Sequence, residues 1–251
     1  MRQAPGSCPS YPAIAKLALE LSSLAYQEQE AIRDGLMKKS TSASKIHFIE
    51  SNRLSALVFK LDETIWVVFR GSHTWSDWIS NIDIRFVATR FGRIHRGFYD
   101  SLTPAFPLLI NAVESFPLES CRLCFAGHSR GGAFAVIAAA MFRERGHRPT
   151  GIYTFGQPRV GDQMFTEWWN TNMDVEFLRF VNGTDVVPRL PPSSIWEFGL
   201  ILTEFGIEIT LKVCVGIPIV VAKSCIARLR ACFPIKDTKH NHGTKDEKSI
   251  G

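Results

Sequence analysis

Residues 122–145 read RLCFAGHSRGGAFAVIAAAMFRER and contain three different patterns in succession. Arg122 to Ala126 is a short apolar run typical of a buried strand, Gly127 to Gly132 is rich in glycine, and Ala133 to Arg145 has the alanine-rich composition of a helix. The sequence therefore predicts a strand, a tight turn and a helix that follow one another directly. The turn holds the pentapeptide Gly127-His128-Ser129-Arg130-Gly131, a G-x-S-x-G sequence.

Further strands and helices are predicted on both sides of this unit. The predicted strands are Leu54 to Lys60 and Thr64 to Arg70, which form a hairpin, then Ile152 to Phe155 and Val175 to Val181. The predicted helices are Ala13 to Ile32, Gly97 to Phe116 with interruptions at its prolines, and roughly Gly161 to Thr171. Strands that alternate with helices favour an α/β fold with a mostly parallel sheet.

Composition predicts one globular domain over residues 1–251. The chain has 45% hydrophobic and 21% charged residues, and its net charge of +5 is spread along the sequence. Such dispersed charge does not indicate a nucleic-acid partner. Two parts of the domain are unusual: an apolar segment from Ile195 to Phe233 and a polar tail at residues 234–251.

The apolar run nearest in character to a membrane span, Val213 to Ala222, is shorter than the roughly 18 residues that a span requires. We expect no transmembrane segment, although a run of this length can touch a bilayer. Residues 1–6 contain no apolar stretch of the secretory kind, which predicts a cytoplasmic location, with export by a non-standard route as the alternative. The pair Cys121 and Cys124 has no second pair at zinc spacing, so no metal site is expected.

The G-x-S-x-G turn is typical of a nucleophilic serine. Flanking glycines let neighbouring backbones approach a sharply bent turn, and the bend exposes the Ser129 hydroxyl above the sheet. The N-terminus of the following helix offers free N–H groups and a favourable dipole to a developing oxyanion.

A serine needs a general base and a group that orients the base. Enzymes built on this turn carry the acid and then the histidine after the serine in the chain. Asp185 follows a predicted strand and is the expected acid, since polar loops at the carboxyl ends of parallel strands collect such groups. His147 precedes the acid, so the base is either His240 or His242.

Five ordered sequence blocks resemble the class 3, or fungal-type, triacylglycerol lipases. The blocks are Phe69 to Ser72, His95 to Phe98, Gly127 to Gly132, Thr154 to Gly161 and Arg179 to Pro191. The resemblance covers roughly residues 12–192. It implies an α/β-hydrolase fold and the hydrolysis of acyl esters, without a metal or a cofactor.

The same resemblance assigns roles to individual residues. It implies Ser129 as nucleophile, Asp185 as acid, and Ser72 together with the backbone N–H of Arg130 as the oxyanion hole. Trp75 to Asp83 falls where the family carries its lid. Trp75, Trp78 and Ile79 are therefore expected either in an apolar flap or in the core.

Three features depart from the family pattern. The family usually has Leu after the nucleophile, where this chain has Arg130, whose guanidinium could favour an anionic head group. The family histidine commonly follows Asp, and Asn241-His242 is the nearest match, so we prefer His242 over His240. The segment Ile195 to Phe233 matches no block, and its apolar runs suit either a core or a surface that lies on lipid.

Together these patterns predict a serine hydrolase that cleaves lipid esters through a Ser-Asp-His triad and an acyl-enzyme. The expected partner is a lipid ester, with peripheral contact to a lipid surface. One alternative is a phospholipase or galactolipase that acts on polar lipids. The other is a catalytically impaired lipid-binding or interaction protein on the same scaffold.

Overall fold

The computed structural model describes residues 11–40, 43, 45–51, 53–72, 83, 85–181 and 219–220. The strands in these ranges are β1 (Ile46–Ser51), β2 (Leu54–Leu61), β3 (Thr64–Phe69), β4 (Phe86–Thr89), β5 (Gly92–His95), β6 (Arg122–His128), β7 (Pro149–Phe155), β8 (Glu176–Phe180) and β9 (Ile219–Val220). The helices are α1 (Tyr11–Leu24), α2 (Gln29–Met37), α3 (Arg96–Leu102), α4 (Phe106–Glu114), α5 (Arg130–Glu144) and α6 (Gln163–Asn172). Short 3₁₀ turns precede α4 and β6.

Seven of the strands form one sheet in the order β1-β2-β3-β6-β7-β8-β9. β1, β2 and β3 are antiparallel neighbours, and every pairing from β3 to β9 is parallel. β4 and β5 form a separate antiparallel ribbon. The α/β fold with a mostly parallel sheet, predicted from the sequence, is therefore confirmed.

The central strand β3 packs against helices on both of its faces, because alternate side chains of a strand point to opposite sides. Val67 and Phe69 belong to the core beneath α3, α4, α5 and α6. Trp66 and Val68 belong to a second core, which α1 and α2 cover. The nearly unbroken apolar sequence of β3 follows from this burial on both sides.

α5 is buried along almost its whole length, from Gly131 to Phe142. Its alanines allow the helix to lie close to β6 and β7, and its two phenylalanines fill the space towards α3 and α4. The ring of Phe142 lies 5.3 Å from that of Phe106 and 5.4 Å from that of Phe125. Gly146, at φ 87°, follows the helix at the position where the sequence predicted its end.

In the first 95 residues one expectation is wrong and three strands were missed. The helix predicted over Ala13 to Ile32 is two helices, since α1 ends at Leu24 and α2 begins at Gln29. Tighter turns end α1, in which the Tyr26 N–H donates to the Ser23 carbonyl and the Gln27 N–H to the Leu24 carbonyl. β1, β4 and β5 were not predicted, because their half-exposed polar residues hide the alternating pattern.

Only two residues of the apolar segment from Ile195 to Phe233 belong to the described part of the chain. They form β9, which extends the sheet beside β8 through the pairs Arg179 with Ile219 and Phe180 with Val220. The remainder of that segment and the tail at 234–251 lie outside the described residues, and the single domain over 1–251 stays a prediction. Among the helices described, none has the length and hydropathy needed to cross a bilayer.

Phe142→Ala should lower the free energy of unfolding by about 3–5 kcal/mol, because it leaves a cavity between the rings of Phe106 and Phe125. Leu108→Ala is the matched control, since Leu108 is 52% exposed on α4. Urea denaturation of both variants measures the difference. Equal midpoints for the two would contradict this account of the core.

Candidate active site

Ser129 lies between β6 and α5 in a backbone conformation that non-glycine residues rarely adopt. Its φ is 55° and its ψ is −126°, and strain of this kind costs on the order of 1–3 kcal/mol. Two backbone hydrogen bonds hold it there: its N–H donates to the Phe155 carbonyl (2.8 Å) and its carbonyl accepts from the Gly132 N–H (2.9 Å). The strand, turn and helix predicted from the G-x-S-x-G sequence are confirmed.

Gly127 and Gly131 are required by close approaches of backbone to backbone. A Cβ on Gly127 would lie 2.3 Å from the Gly131 carbonyl, and a Cβ on Gly131 would lie 2.2 Å from the carbonyl oxygen of Phe69. Neither neighbour can move without shifting a strand or the helix. The glycines therefore bring the end of β3 against the first turn of α5.

The Ser129 hydroxyl is not used to cap its own helix. Ser129 occupies the N-cap position of α5, but its side chain makes no capping hydrogen bond. Serine commonly caps at this position, and the unusual φ turns the hydroxyl away from the helix. At the next residue, the Arg130 N–H has no acceptor within the helix, as is general for a first helical residue. A half-buried hydroxyl and a free donor thus lie at the positive end of α5.

Ser72 lies close to this turn, three residues beyond the end of β3. A Cβ on the preceding Gly71 would lie 2.6 Å from the His128 carbonyl oxygen and 3.5 Å from Ser129 Cβ. The Ser72 Oγ is buried and has no hydrogen-bond partner among the described residues. The structure therefore brings Ser72, Ser129 and Arg130 together, and the roles that the family resemblance implies for them stay predictions.

Tyr26 contacts the same turn from the other face of the sheet. Its hydroxyl lies 2.9 Å from His128 Nδ1 and accepts a hydrogen bond from the Gly71 backbone. Burial raises the pKa of Tyr26 to about 12 and lowers the pKa of His128 to about 4, so both groups are neutral at pH 7. A hydrogen bond between neutral groups therefore joins Tyr26 to His128, and the tautomer of His128 sets which of them donates. The His128 ring thus contacts Tyr26, which no sequence signal had indicated.

The loop after β7 supports the first turn of α5. Within it Thr154 Oγ1 donates to Gln157 Oε1 (2.9 Å), and Arg179 Nη2 donates to the Gln157 carbonyl (2.8 Å). A Cβ on Gly132 would lie 3.0 Å from Gln157 Cβ, so the loop lies directly against the helix start. This contact gives a structural reason for the Thr154 to Gly161 block.

The profile of the family described as Lipase (class 3) matches residues 66–195, which is more than half of the 251 residues. The matched range runs from β3 past β8 and includes Ser72 and Ser129. The chain belongs to the class 3 lipase family.

Individual members of this family are similar to the chain over part of its length. A lipase of Rhizomucor miehei is 35% identical in an alignment of 146 residues that covers 53% of this chain and 39% of that lipase. The secreted mono- and diacylglycerol lipase 1 of Fusarium solani is 34% identical over 51% of this chain and 39% of its own length. The chain thus matches about two fifths of each relative.

A solved structure of a class 3 lipase has the same fold. The triacylglyceride lipase of Rhizomucor miehei aligns with a TM-score of 0.61 and 26% identity, over 75% of this chain and 77% of that one. The α/β-hydrolase fold implied by the sequence resemblance is confirmed. The expected cytoplasmic location is wrong, because curated relatives such as the Fusarium solani lipase are named as secreted. The composition of residues 1–6, on which that expectation rested, does not decide where a class 3 lipase acts.

Several residues predicted for the class 3 lipase site lie outside the described part of the chain. They are Asp185, His240, His242, Trp75, Trp78 and Ile79. The roles predicted for them stay predictions. In the described ranges no three His, Cys, Asp or Glu side chains gather as metal ligands, and neither Cys121 nor Cys124, on either side of the start of β6, forms a disulfide there.

The low pKa of His128 should make the protein less stable in mild acid. The folded state holds His128 neutral, whereas the unfolded chain protonates near pH 6.5, so stability present above pH 6.5 is lost as the pH falls towards 4. We expect a loss of about 3 kcal/mol over this window, measured by urea denaturation at each pH.

His128→Gln should remove most of this dependence, because glutamine does not titrate. His47, whose pKa is also lowered by burial, is present in both proteins and cancels in the comparison. Parallel stability curves for the wild type and His128→Gln would contradict the assignment.

Proposed function

We propose that the protein is a serine hydrolase that cleaves carboxylic ester bonds of lipids, as its lipase relatives are named to do. One observation carries the proposal: the uncapped hydroxyl of Ser129 lies on a strained turn beside the buried hydroxyl of Ser72, which has no partner among the described residues. A donor that is buried without an acceptor costs stability, so its retention is best explained by an acceptor that the substrate supplies. Family membership gives independent support.

Acylation is the first half of the proposed reaction. Ser129 Oγ attacks the acyl carbonyl carbon while the imidazole of His242 takes the hydroxyl proton. Asp185 accepts a hydrogen bond from the other ring nitrogen and stabilises the imidazolium that forms. The imidazolium then donates its proton to the leaving alcohol, the ester C–O bond breaks, and the acyl group remains on Ser129.

During acylation negative charge develops on the carbonyl oxygen, and hydrogen-bond donors must stabilise it. The Arg130 N–H at the start of α5 and the Ser72 hydroxyl are the donors proposed for the oxyanion. Both are fixed before substrate binds, because the close contacts at Gly71 and Gly131 hold the two segments together. Donors fixed in this way need no reorganisation when the negative charge appears.

Deacylation repeats the sequence with water as nucleophile. His242 removes a proton from water as the water oxygen attacks the acyl carbon. The tetrahedral intermediate then collapses, the bond from the acyl carbon to Ser129 Oγ breaks, and His242 returns its proton to Ser129 Oγ, which releases the fatty acid. Trp75, Trp78 and Ile79 are proposed as the apolar flap, and Ile195 to Phe233 as the region that contacts a lipid surface. His240 is the alternative base.

A second candidate function is the hydrolysis of polar lipids, as in a phospholipase. Arg130 favours it, since a guanidinium in place of the family's leucine puts a positive charge directly after the nucleophile. Both functions use the same Ser129 chemistry. They differ in the substrate group that the neighbourhood of Arg130 accepts.

Ser129→Ala should abolish covalent labelling by a fluorophosphonate probe and lower ester hydrolysis by several orders of magnitude, because the acyl group loses its acceptor. Ser120→Ala replaces an exposed serine and serves as control. His242→Ala should also abolish labelling, whereas His240→Ala should retain it. If labelling is lost in His240→Ala and retained in His242→Ala, His240 is the general base. A folded wild type that neither labels nor hydrolyses esters would favour the lipid-binding alternative.

Ser72→Ala should lower kcat roughly a hundredfold to a thousandfold, because the oxyanion loses one of its donors. The buried hydroxyl of Ser101, which donates to the Gly97 carbonyl at 2.6 Å, offers a matched control in Ser101→Ala. Steady-state hydrolysis of a soluble short-chain ester measures both variants. An unchanged kcat in Ser72→Ala would remove its side chain from the proposed oxyanion hole.

A further inference from the structure

We infer that a positively charged cavity beside Ser72 binds an anionic group of the ester substrate, a phosphate or a carboxylate. The inference rests on the proposed function and names the chemistry of its substrate. It arises from the three arginines that line this cavity, one of which is Arg130.

The cavity has a volume of about 190 Å³ and adjoins the groups proposed for the oxyanion hole. Its lining comes from the turn between β1 and β2, from the residues that follow β3, and from the first residue of α5. Ser72 and Arg130 belong both to this lining and to the proposed oxyanion hole. A group bound in the cavity therefore lies only a few bonds from the reacting carbonyl.

Positive charge dominates the lining. Arg53, Arg70 and Arg130 contribute three positive charges and Glu50 one negative charge, which leaves a net charge of +2. None of the three arginines forms an ion pair with a residue in the described part of the chain. Glu50 accepts a hydrogen bond from the Ser55 hydroxyl at 2.8 Å. The described residues thus leave uncompensated positive charge around the cavity.

Arg130 is the arginine that burial affects most. Its Nε atom is buried and has no hydrogen-bond partner among the described residues. Burial lowers the pKa of Arg130, and the charges of Arg70 and Arg53 act in the same direction. Its guanidinium lies 5.5 Å from the centre of the Phe134 ring, which compensates it only in part. An anion in the cavity would compensate the charge of this guanidinium.

The size and polarity of the cavity select the kind of ligand. A volume of about 190 Å³ corresponds to roughly six waters at about 30 Å³ each, enough for a phosphate or carboxylate group but not for a long acyl chain. The lining is mostly polar, which also disfavours an acyl chain. Guanidinium groups match the planar or tetrahedral oxygens of these anions through paired N–H donors. The substrate class is therefore an ester with an anionic group close to its scissile bond.

The test compares two soluble esters that differ in one phosphate, dibutyrylglycerophosphate and dibutyrin. Both are supplied as monomers below their critical micelle concentrations, so attraction of a basic protein to a charged lipid surface does not enter. The wild type should show a kcat/KM at least about tenfold higher for the phosphate ester, which is the effect of one charge-assisted hydrogen bond. Inorganic phosphate should inhibit dibutyrin hydrolysis competitively.

Arg53→Gln, Arg70→Gln and Arg130→Gln remove one charge each and keep most of the side-chain length. Each should lower the ratio of the two kcat/KM values by about tenfold. The matched control is Arg148→Gln, which changes the net charge equally at an exposed residue beyond the far end of α5, about 22 Å along the helix. Arg148→Gln should leave the ratio unchanged.

The outcomes separate this inference from the proposed function. Turnover of dibutyrin without a preference for the phosphate ester would overturn the inference alone, as would arginine variants that change the ratio no more than Arg148→Gln. Competitive inhibition by inorganic phosphate without that preference would show a site for free anions and would also overturn the substrate assignment. A folded wild type that hydrolyses neither ester would overturn the proposed function itself.

Discussion

The contact between the Phe69 carbonyl oxygen and Gly131 is the constraint on which the other features depend. No side chain fits between them, since a Cβ on Gly131 would lie 2.2 Å from that oxygen. This contact joins the end of β3 to the first turn of α5, and Ser129, which connects β6 to that turn, has a positive φ. Ser129, the Arg130 N–H and Ser72 are thereby brought together by backbone packing rather than by interactions among their side chains.

The two hydrophobic cores maintain that contact against the strain at Ser129. The core under α5 holds the helix against β6 and β7, and the core under α1 holds the opposite face of the same strands. Because both faces of β3 are buried, the strand cannot slide or tilt to relieve the strained turn without exposing apolar side chains. The cost of the turn, on the order of 1–3 kcal/mol, is small beside the burial that opposes its relaxation.

The sequence predicted the strands and the helix that are buried on both faces or nearly all round. β3, β6 and α5 are apolar on both faces or nearly all round, so composition alone indicated them, and the glycines marked the turn at Ser129. The sequence did not predict β1, β4 and β5, because each of these strands is half exposed. The sequence did not indicate Tyr26 either, because its role depends on a contact with His128, 102 residues away in the chain, which no local pattern encodes. Ser72 was found only through resemblance to a family, since nothing in its own spacing marks it. Asp185 and His242 rest on chain order and resemblance.

The break between α1 and α2 bears on where a catalytic unit of this family begins. The family profile starts at residue 66, and every residue of the G-x-S-x-G turn lies beyond that point. Tyr26, which follows α1, nevertheless holds the back of the turn through His128 and Gly71. A fragment cut at the family boundary would retain the nucleophile but lose this phenol and the helices that cover one face of the sheet. The shortest segment able to hold Ser129 in place is therefore longer than the segment by which the family is recognised.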